Sequence, residues 1–511
     1  MLAFDGKPKF LEKYAVVGFE AVQALGEIGM LQISLRSRLA TSEPHLKSFV
    51  GVQKSLGDEL KCKVGDWHFN GTVESITYDS SSRHFRVLLH DALAKLDGVI
   101  GSNVFADQTI KDIVSGVAPA GVKVEYLSGF DGIKVKLAIQ YQETALTFIK
   151  RLLSEYGGQL WCDGEKIYIG AEPTSKSKTL RLDKEVSDFI INTRLGAEQV
   201  ELESIPYAKN NPSTSKIGLK GGKFGEIQDA VIDLRKKGKG DKKVFHIVHE
   251  DSGYDDSTHF ANRFLRSQAA GRFVIDGRVT VPVDLGSKVT IQGLGAEEGK
   301  EITIIRSVQC VGDYMNNETV WQFEAVNPEA VLSGGGQSSD RLIASTAIVA
   351  DTNDDMNRVK VKFLWDGKQR VTPWFRLASP SWGKEHMHFL PPKKDDTVLV
   401  VWGLVDMDPV VLGCVTGGDK VGEPNSNLVL QTVDGQTITI SQDKITMKND
   451  DVEVRMEKKL VEIDSAGSKI KMDPNDIELK ANGSIKIDAT GSITLDSTAG
   501  IELKTMKLDI G

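Results

Sequence analysis

The sequence predicts a mainly β, multidomain protein, and three observations carry that prediction. Apolar residues two apart recur near the end of the chain: Ile438/Ile440, Ile445/Met447, Val452/Val454, Val461/Ile463, Ile470/Met472, Ile477/Leu479, Ile485/Ile487, Ile493/Leu495 and Ile501/Leu503. Residues 483–490 (GSIKIDAT) and 491–498 (GSITLDST) are a direct repeat. Residues 341–418 pack four or five apolar, aromatic-bearing strand signals into one short stretch.

Bulk numbers bound the rest. At ~150 residues per domain, 511 residues suggest three or four domains. Hydrophobic content of 40% and charged content of 26% are globular values, so no large disordered part is required. A net charge of −8 argues against a nucleic-acid partner, which calls for a concentrated basic face. Residues 421–511 hold 11 basic and 16 acidic residues, which suits a solvated stalk rather than a membrane-surface anchor. Cys62, Cys162, Cys310 and Cys414 are scattered and form no CxxC pair, as expected of buried thiols in a chain folded in the cytoplasm. The start, MLAFDGKPKF, lacks a signal peptide's apolar core, and no apolar run approaches the ~18 residues of a membrane span.

The repeats demand a shared core. Two inward residues around a polar one make a short strand with one buried face. Alone it buries almost nothing, so the repeats must stack. After Gly422 there is no Phe, Tyr, Trp, His or Cys, so the core is thin. A single-chain solenoid needs roughly twenty residues per turn; strands of about eight fit better if several chains each supply one side. The expectation is an intertwined three-chain β-helix, with an ordinary β-meander and a single-chain solenoid as alternatives.

Upstream, residues 1–90 read as a β module, with strands at 31–36, 69–78 and 84–89. Leu56-Gly57, strand, Gly71-Thr-Val-Glu-Ser-Ile, turn, Phe85-Arg-Val has a counterpart. It is Leu285-Gly286, strand, Glu301-Ile-Thr-Ile-Ile-Arg, turn, Val320-Trp-Gln-Phe. A duplicated small barrel is expected, about 1–90 and 190–330, against the alternative of two unrelated meanders. Between them, Asp107 is expected to cap a helix. Residues 144–156 place Leu146, Ile149, Leu152, Leu153 and Tyr156 on one helical face ended by Gly157-Gly158. Asp163-Gly164 should turn a hairpin, and 255–270 should form another helix. The SGGGQSSD stretch at 333–340 is a linker.

The 341–418 region carries the most specific pattern: Asp351-Thr-Asn-Asp354-Asp355-Met-Asn-Arg358-Val-Lys-Val-Lys-Phe363-Leu-Trp365. Trp374-Phe-Arg376-Leu follows, then Leu390-Pro391 with Asp395-Asp396-Thr-Val398-Leu-Val, and Asp406-Met-Asp408-Pro409-Val-Val-Leu-Gly413. It resembles the OB-fold of VgrG-like spikes of contractile injection systems, relatives of phage tail hub and spike proteins. It departs at Asn357, where the family has Gly, and at Lys394-Asp395-Asp396, where Gly-Asp-Glu is usual. Residues 69–76, 103–113 and 143–153 resemble hub blocks in order, and the octads resemble the β-helical needle.

The resemblance implies a layout of hub 1–332, linker 333–340, OB domain 341–418, neck 419–437 and triple-stranded needle 438–511. It also implies a non-enzymatic homotrimeric spike that adapts a threefold needle to a sixfold inner tube protein, sits among baseplate proteins and punctures a target envelope. Three chains with two barrels each would supply the pseudo-sixfold ring. Met506, Leu508 and Ile510 are expected to dock a PAAR-like tip protein. Assembly in the cytoplasm and action in a phage tail-like particle are expected. A type VI system, an extracellular injection particle and a tailocin use similar parts; the short chain without an effector extension favours the extracellular particle.

Enzyme signals are weak. His246-Ile-Val-His249-Glu250 matches neither HExxH nor HxxEH and sits in an alternating strand. Asp351/Asn353/Asp355 begins like a calcium loop but has Met356 at the loop glycine. Gly293-Leu-Gly295-Ala-Glu-Glu-Gly299 has the wrong spacing for a phosphate loop. No catalytic residue, cofactor or metal ligand is assigned. A β-helical hydrolase or polysaccharide lyase is the alternative, and an oligonucleotide- or sugar-binding OB protein is a third, disfavoured by acidic loops.

Overall fold

In a computed structural model the described residues are 2–504, except 7, 38–49, 82–83, 128, 165, 171–176, 183, 196–198, 207–212, 219–223, 237–243, 252–272, 295–299, 315–317, 329–341, 380, 383–386, 389–390, 404–408, 416–427, 432–434 and 503. The predicted 255–270 helix and 333–340 linker lie outside the described residues. The chain forms two compact units, Met1–Val415 and Thr416–Gly511.

The first unit contains one 12-stranded sheet, and ten of its strands fall into two sets of five. The first set is β1 (Tyr14–Ala24), β2 (Met30–Ser37), β3 (Glu59–Val64), β4 (Trp67–Asp79) and β5 (His84–His90). The second is β6 (Val186–Thr193), β7 (Phe273–Val279), β8 (Lys288–Gln292), β9 (Lys300–Asp313) and β10 (Glu318–Val326). Their orders match: β3-β4-β5-β2-β1 and β8-β9-β10-β7-β6.

The match extends to single hydrogen bonds. Gly57 N donates to Val73 O at 2.9 Å, and Gly286 N donates to Ile305 O at 2.9 Å. Both glycines have positive φ, +82° and +70°, which a side chain would strain. Val73 N donates to Asp58 O, and Ile305 N to Ser287 O. The β4–β5 ladder bulges between Val73 and Ser75, the β9–β10 ladder between Ile305 and Ser307. The β1–β2 ladder bulges between Val16 and Gly18, the β6–β7 ladder between Val186 and Asp188. A bulge costs a ladder bond and re-aims the strand, so shared bulge positions mark one motif used twice. The two sets join where β1 pairs antiparallel with β9, Gly18–Ala24 against Asp313–Ser307. They share a core in which Trp67 meets Trp321 edge-on at 5.4 Å.

Helix α1 (Ile110–Val117) begins later than the sequence suggested: Thr109, not Asp107, caps it, its side chain accepting from Asp112 N at 3.2 Å. Asp107 sits at φ +51° in the preceding strand. Helix α2 (Ala145–Glu155) is capped by Thr144 and ends before Gly157 at φ +69°. It buries Leu146, Ile149, Leu152 and Leu153. The Asp163-Gly164 turn joins antiparallel strands Gln159–Cys162 and Ile167–Gly170.

A two-stranded ribbon, Ile100–Thr109 against Lys134–Thr144, is shared between two cores. Phe105 and Ala138 pack with α1 and α2. Val104 and Ile139, with Tyr141, pack into the OB barrel beside Phe363, Trp365 and Trp402. That barrel orders its strands Lys360–Phe363, Leu342–Asp351, Thr397–Gly403, Val410–Cys414 and Arg376–Leu377, and a Val359–Phe375 bridge closes it. Asn357 is left-handed, φ +57°, a region that glycine, the residue the resemblance leads one to expect there, adopts freely and that a short amide side chain tolerates. Asp395, not Lys394, takes the second left-handed turn position, φ +74°.

In the second unit, Leu428–Gln431, Thr437–Ile440, Lys444–Asn449, Val452–Glu457, Leu460–Ser465, Ser468–Met472 and Ile477–Lys480 form a seven-stranded antiparallel meander. Left-handed Asp450 and the Ala466-Gly467 pair, both at positive φ, close tight hairpins. The predicted three-chain β-helix thus has, within one chain, the pairing of the meander alternative. Residues 483–502 contain no strand.

Candidate functional site

The register of the meander gathers its apolar residues into two columns. Ile438 faces Met447, Met447 faces Val454, Val454 faces Ile463, Ile463 faces Ile470, and Ile470 faces Leu479. The second column runs Ile440, Ile445, Met456, Val461, Met472, Ile477. Side chains alternate across a strand, so both columns lie on one face. The other face is a charge ladder: Arg455 donates to Glu462 at 2.9 Å, Lys469 meets Glu462 at 2.7 Å, and Lys471 meets Asp473 at 2.9 Å.

Among the described residues of this unit, no segment covers the apolar face. Ile463 is 36% exposed and Ile477 73%. The octad residues Ile485, Ile487, Ile493, Leu495 and Ile501 are all exposed. A contiguous apolar face backed by an ion-paired one marks an interaction surface. Met506, Leu508 and Ile510 lie outside the described residues.

The suspected chemical motifs resolve into structure. Positions 246 and 249 lie on strand Val244–Asp251, which pairs in parallel with Gln199–Pro206; positions three apart on a strand fall on opposite faces. Among the described residues no group of three or more His, Cys, Asp or Glu is placed to hold a metal ion. In the Asp351–Asp355 turn, Asp354 accepts from Arg358 Nε at 3.0 Å and Nη2 at 2.9 Å, and the Arg358 guanidinium holds its carboxyl below the usual range. That carboxylate is committed to closing the turn.

Two buried carboxylates act as anchors. Asp91 accepts from Gly29 N and Leu93 N, both at 3.0 Å, and burial pushes it up to about 7 despite those bonds. Glu301 accepts from Ile227 N at 2.7 Å in the first turn of α3 (Glu226–Lys236) and from Gln228 Nε2 at 3.0 Å. Burial raises its pKa, and the α3 amides oppose the shift.

Sequence reasoning missed a clamp between ribbon and OB barrel. Arg370 lies 4.6 Å from the Phe105 ring centroid and donates to Val104 O. Tyr141 meets Trp365 at 5.2 Å and Trp402 at 5.7 Å, edge-on. A basic residue in a turn and a tyrosine on a ribbon carry no periodic signal.

A repeated five-stranded hub set followed by a closed OB barrel defines a phage-tail-type baseplate hub protein. The chain belongs to the phage tail baseplate hub (GPD) family, whose model matches residues 24–306, more than half its length. Residues 345–415 match the type VI secretion system/phage-baseplate injector OB domain. The chain is similar to the E. coli c3393 protein, described as a type VI secretion system component with structural similarity to the T4 bacteriophage tail proteins gp27 and gp5. That match has a TM-score of 0.52 at 15% identity, over 81% of this chain and 100% of that one. It is also similar to a chain of the Francisella PdpA-VgrG complex, half-lidded, with a TM-score of 0.56 at 11% identity, over 91% of this chain and 83% of that one. At such identities the likeness shows the fold. No curated protein matches the chain. Hub and spike families are structural proteins.

Proposed function

We propose that this chain is the non-enzymatic, homotrimeric central hub and spike of a contractile injection machine. Residues 1–332 form the hub on an inner tube protein and among baseplate proteins, 341–418 the OB collar, 419–437 the neck and 438–511 a three-chain needle. The observation that carries the proposal is the two-column apolar face, exposed in one chain and backed by ion pairs. Three such faces turned inward make a thin dry core and leave three charged faces in water. Among the described residues the octads at 483–502 have no ladder partner in their own chain, and neighbouring chains would supply one. Sheath contraction would drive this needle through a target envelope. Assembly in the cytoplasm and release in a phage tail-like particle fit the reading, and no helix among the described residues is long and apolar enough to cross a membrane.

Ile463 tests it. Covering the remaining third of an isoleucine is worth about 0.5–1 kcal/mol per chain, and three carboxylates at one level of the core would cost several more. Ile463→Asp in the full chain should therefore strip amide-exchange protection from the strands at 445–472, while Glu453→Gln on the other face should not. An Ile463→Asp chain that keeps the parent's protection there would overturn the needle assignment. A PAAR-like tip protein would dock on Met506, Leu508 and Ile510; removing 504–511 should abolish its co-purification, and unchanged co-purification would reject that site.

A further inference from the structure

Two chains of contact run side by side from the OB barrel to helix α2. The first is aromatic. The Arg370 guanidinium lies over the Phe105 ring, 4.6 Å from its centroid. Phe105 stacks on Phe148 of α2, with centroids 5.9 Å apart and planes inclined by 20°. Arg151, three residues further along α2, lies over Phe148 at 5.4 Å. Two stacked rings thus sit between two guanidiniums, each cation drawn to the negative face of a ring. The second chain is polar. Arg370 reaches Asn103 Oδ1 at 3.4 Å, its longest link. Asn103 Nδ2 donates to Gln140 Oε1 at 2.8 Å, and Gln140 Nε2 donates to Glu143 O at 3.0 Å. The Glu143 carboxylate accepts from Arg151 Nη2 at 2.5 Å, and the same nitrogen donates to Ile139 O at 2.7 Å. Both chains begin at Arg370 and end at Arg151.

The ribbon between them is shaped to carry both. Phe105, Gln140 and Phe148 are buried. A Cβ at Gly101 would meet Gln140 Oε1 at 3.0 Å, and one at Gly116 of α1 would meet the Phe105 ring at 2.9 Å, so each glycine makes room for one of these side chains. The ribbon ladder bulges between Gly101 and Ser102: Gly101 faces Glu143, Ser102 faces Tyr141 and Asn103 faces Gln140. Gly101 and Asn103 share a face, so the extra residue, Gln142, is what brings Gln140 and Glu143 onto that face together. Regular alternation would put them on opposite faces. Gln142 takes φ +50°, and its N donates to Ser102 Oγ at 3.1 Å. A non-glycine residue in this region is strained and persists only where its surroundings hold it there.

We propose that the two chains of contact form one strut, through which the OB barrel and the hub's helical layer open and close as a single cooperative unit. Close-packed rings have few alternative arrangements, and a buried polar chain is stable only when every member is satisfied. Glu143 and Arg151 are 10% and 16% exposed, so removing either partner leaves a largely buried charge unpaired. A cut at one end of the strut is therefore transmitted to the other. The strut lies within one chain, so it stands or falls apart from the trimer. In the machine proposed above it would pass load between the collar and the hub.

Native-state amide exchange on the full chain tests the strut. Arg151→Ala cuts it at the α2 end and should raise exchange by more than about threefold in the barrel strand Lys360–Phe363, at the other end. Strand β3 (Glu59–Val64), off the strut, should keep the parent's protection. Lys150→Ala removes the neighbouring ion pair from α2 to Glu27 and should leave the barrel strand unchanged. In the Arg151→Ala/Arg370→Ala chain, exchange in the barrel strand should match the larger single effect, because the strut is already cut. If Arg151→Ala does not fold, Glu143→Gln keeps the shape, removes the charge and should raise exchange in the same strand. Four results would each overturn the strut: parental protection of the barrel strand in the folded variant, single effects that multiply in the double variant, an equal rise in β3, or an equal rise from Lys150→Ala.

Discussion

Removing the Arg370 side chain should loosen the OB barrel from the ribbon. A hydrogen bond from a charged donor contributes about 1.5–3 kcal/mol, and Arg370 gives one to Val104 O. A partly desolvated cation–π contact adds about 0.5–2 kcal/mol, here at 4.6 Å over Phe105. The Asn103 contact is long at 3.4 Å and adds little. Arg370→Ala should therefore cost about 2–5 kcal/mol locally, a roughly 30- to 4,000-fold rise in opening at about 1.4 kcal/mol per decade. Native-state amide exchange reads this directly in the ribbon strand Ile100–Thr109 and the barrel strand Lys360–Phe363. Arg370→Lys keeps the charge without the planar fork and should fall between. Protection in both strands within threefold of the parent chain would refute the clamp.

Two further outcomes follow from the hub. Because burial lifts the Asp91 carboxyl from 3.8 to about 7, the native state holds that proton more tightly than the unfolded chain. Its contribution is full below pH ~4 and is lost as pH rises through 7; the urea midpoint of the hub should fall over that window, and Asp91→Asn should flatten the fall. A methyl at Gly312 would meet the Phe19 ring across the β1–β9 junction, so Gly312→Ala should destabilise by about 1–3 kcal/mol. Thermal unfolding checks this, and trimming the ring with Phe19→Leu in the same chain should recover part of the loss.

The elements most legible in the sequence were those with a period. The two-residue alternation of 438–479 located the strands of the meander and named most of its apolar face, though not Met456. The Asp163-Gly164 turn was equally readable because turn chemistry is local, and the 144–156 helix because its apolar face is periodic and Gly157-Gly158 ends it. The hub repeat was visible only in its last three strands. Its first two correspond as β1 to β6 and β2 to β7, but a long insertion separates β6 from β7, and few residues beyond Val16/Val186 and Phe19/Phe189 agree. That correspondence lives in hydrogen-bond register and bulge position, which a sequence does not display. Asp107 misled because an aspartate before an apolar run reads as a cap, yet the ribbon runs on to Thr109 before the helix starts. The clamp was illegible because Arg370 and Phe105 meet only through tertiary packing.

The sedimentation mass of the full chain tests the central claim most directly. The account predicts one species of three times the 55.9 kDa chain mass, persisting on dilution through the micromolar range. A species of single-chain mass under the same conditions would contradict it.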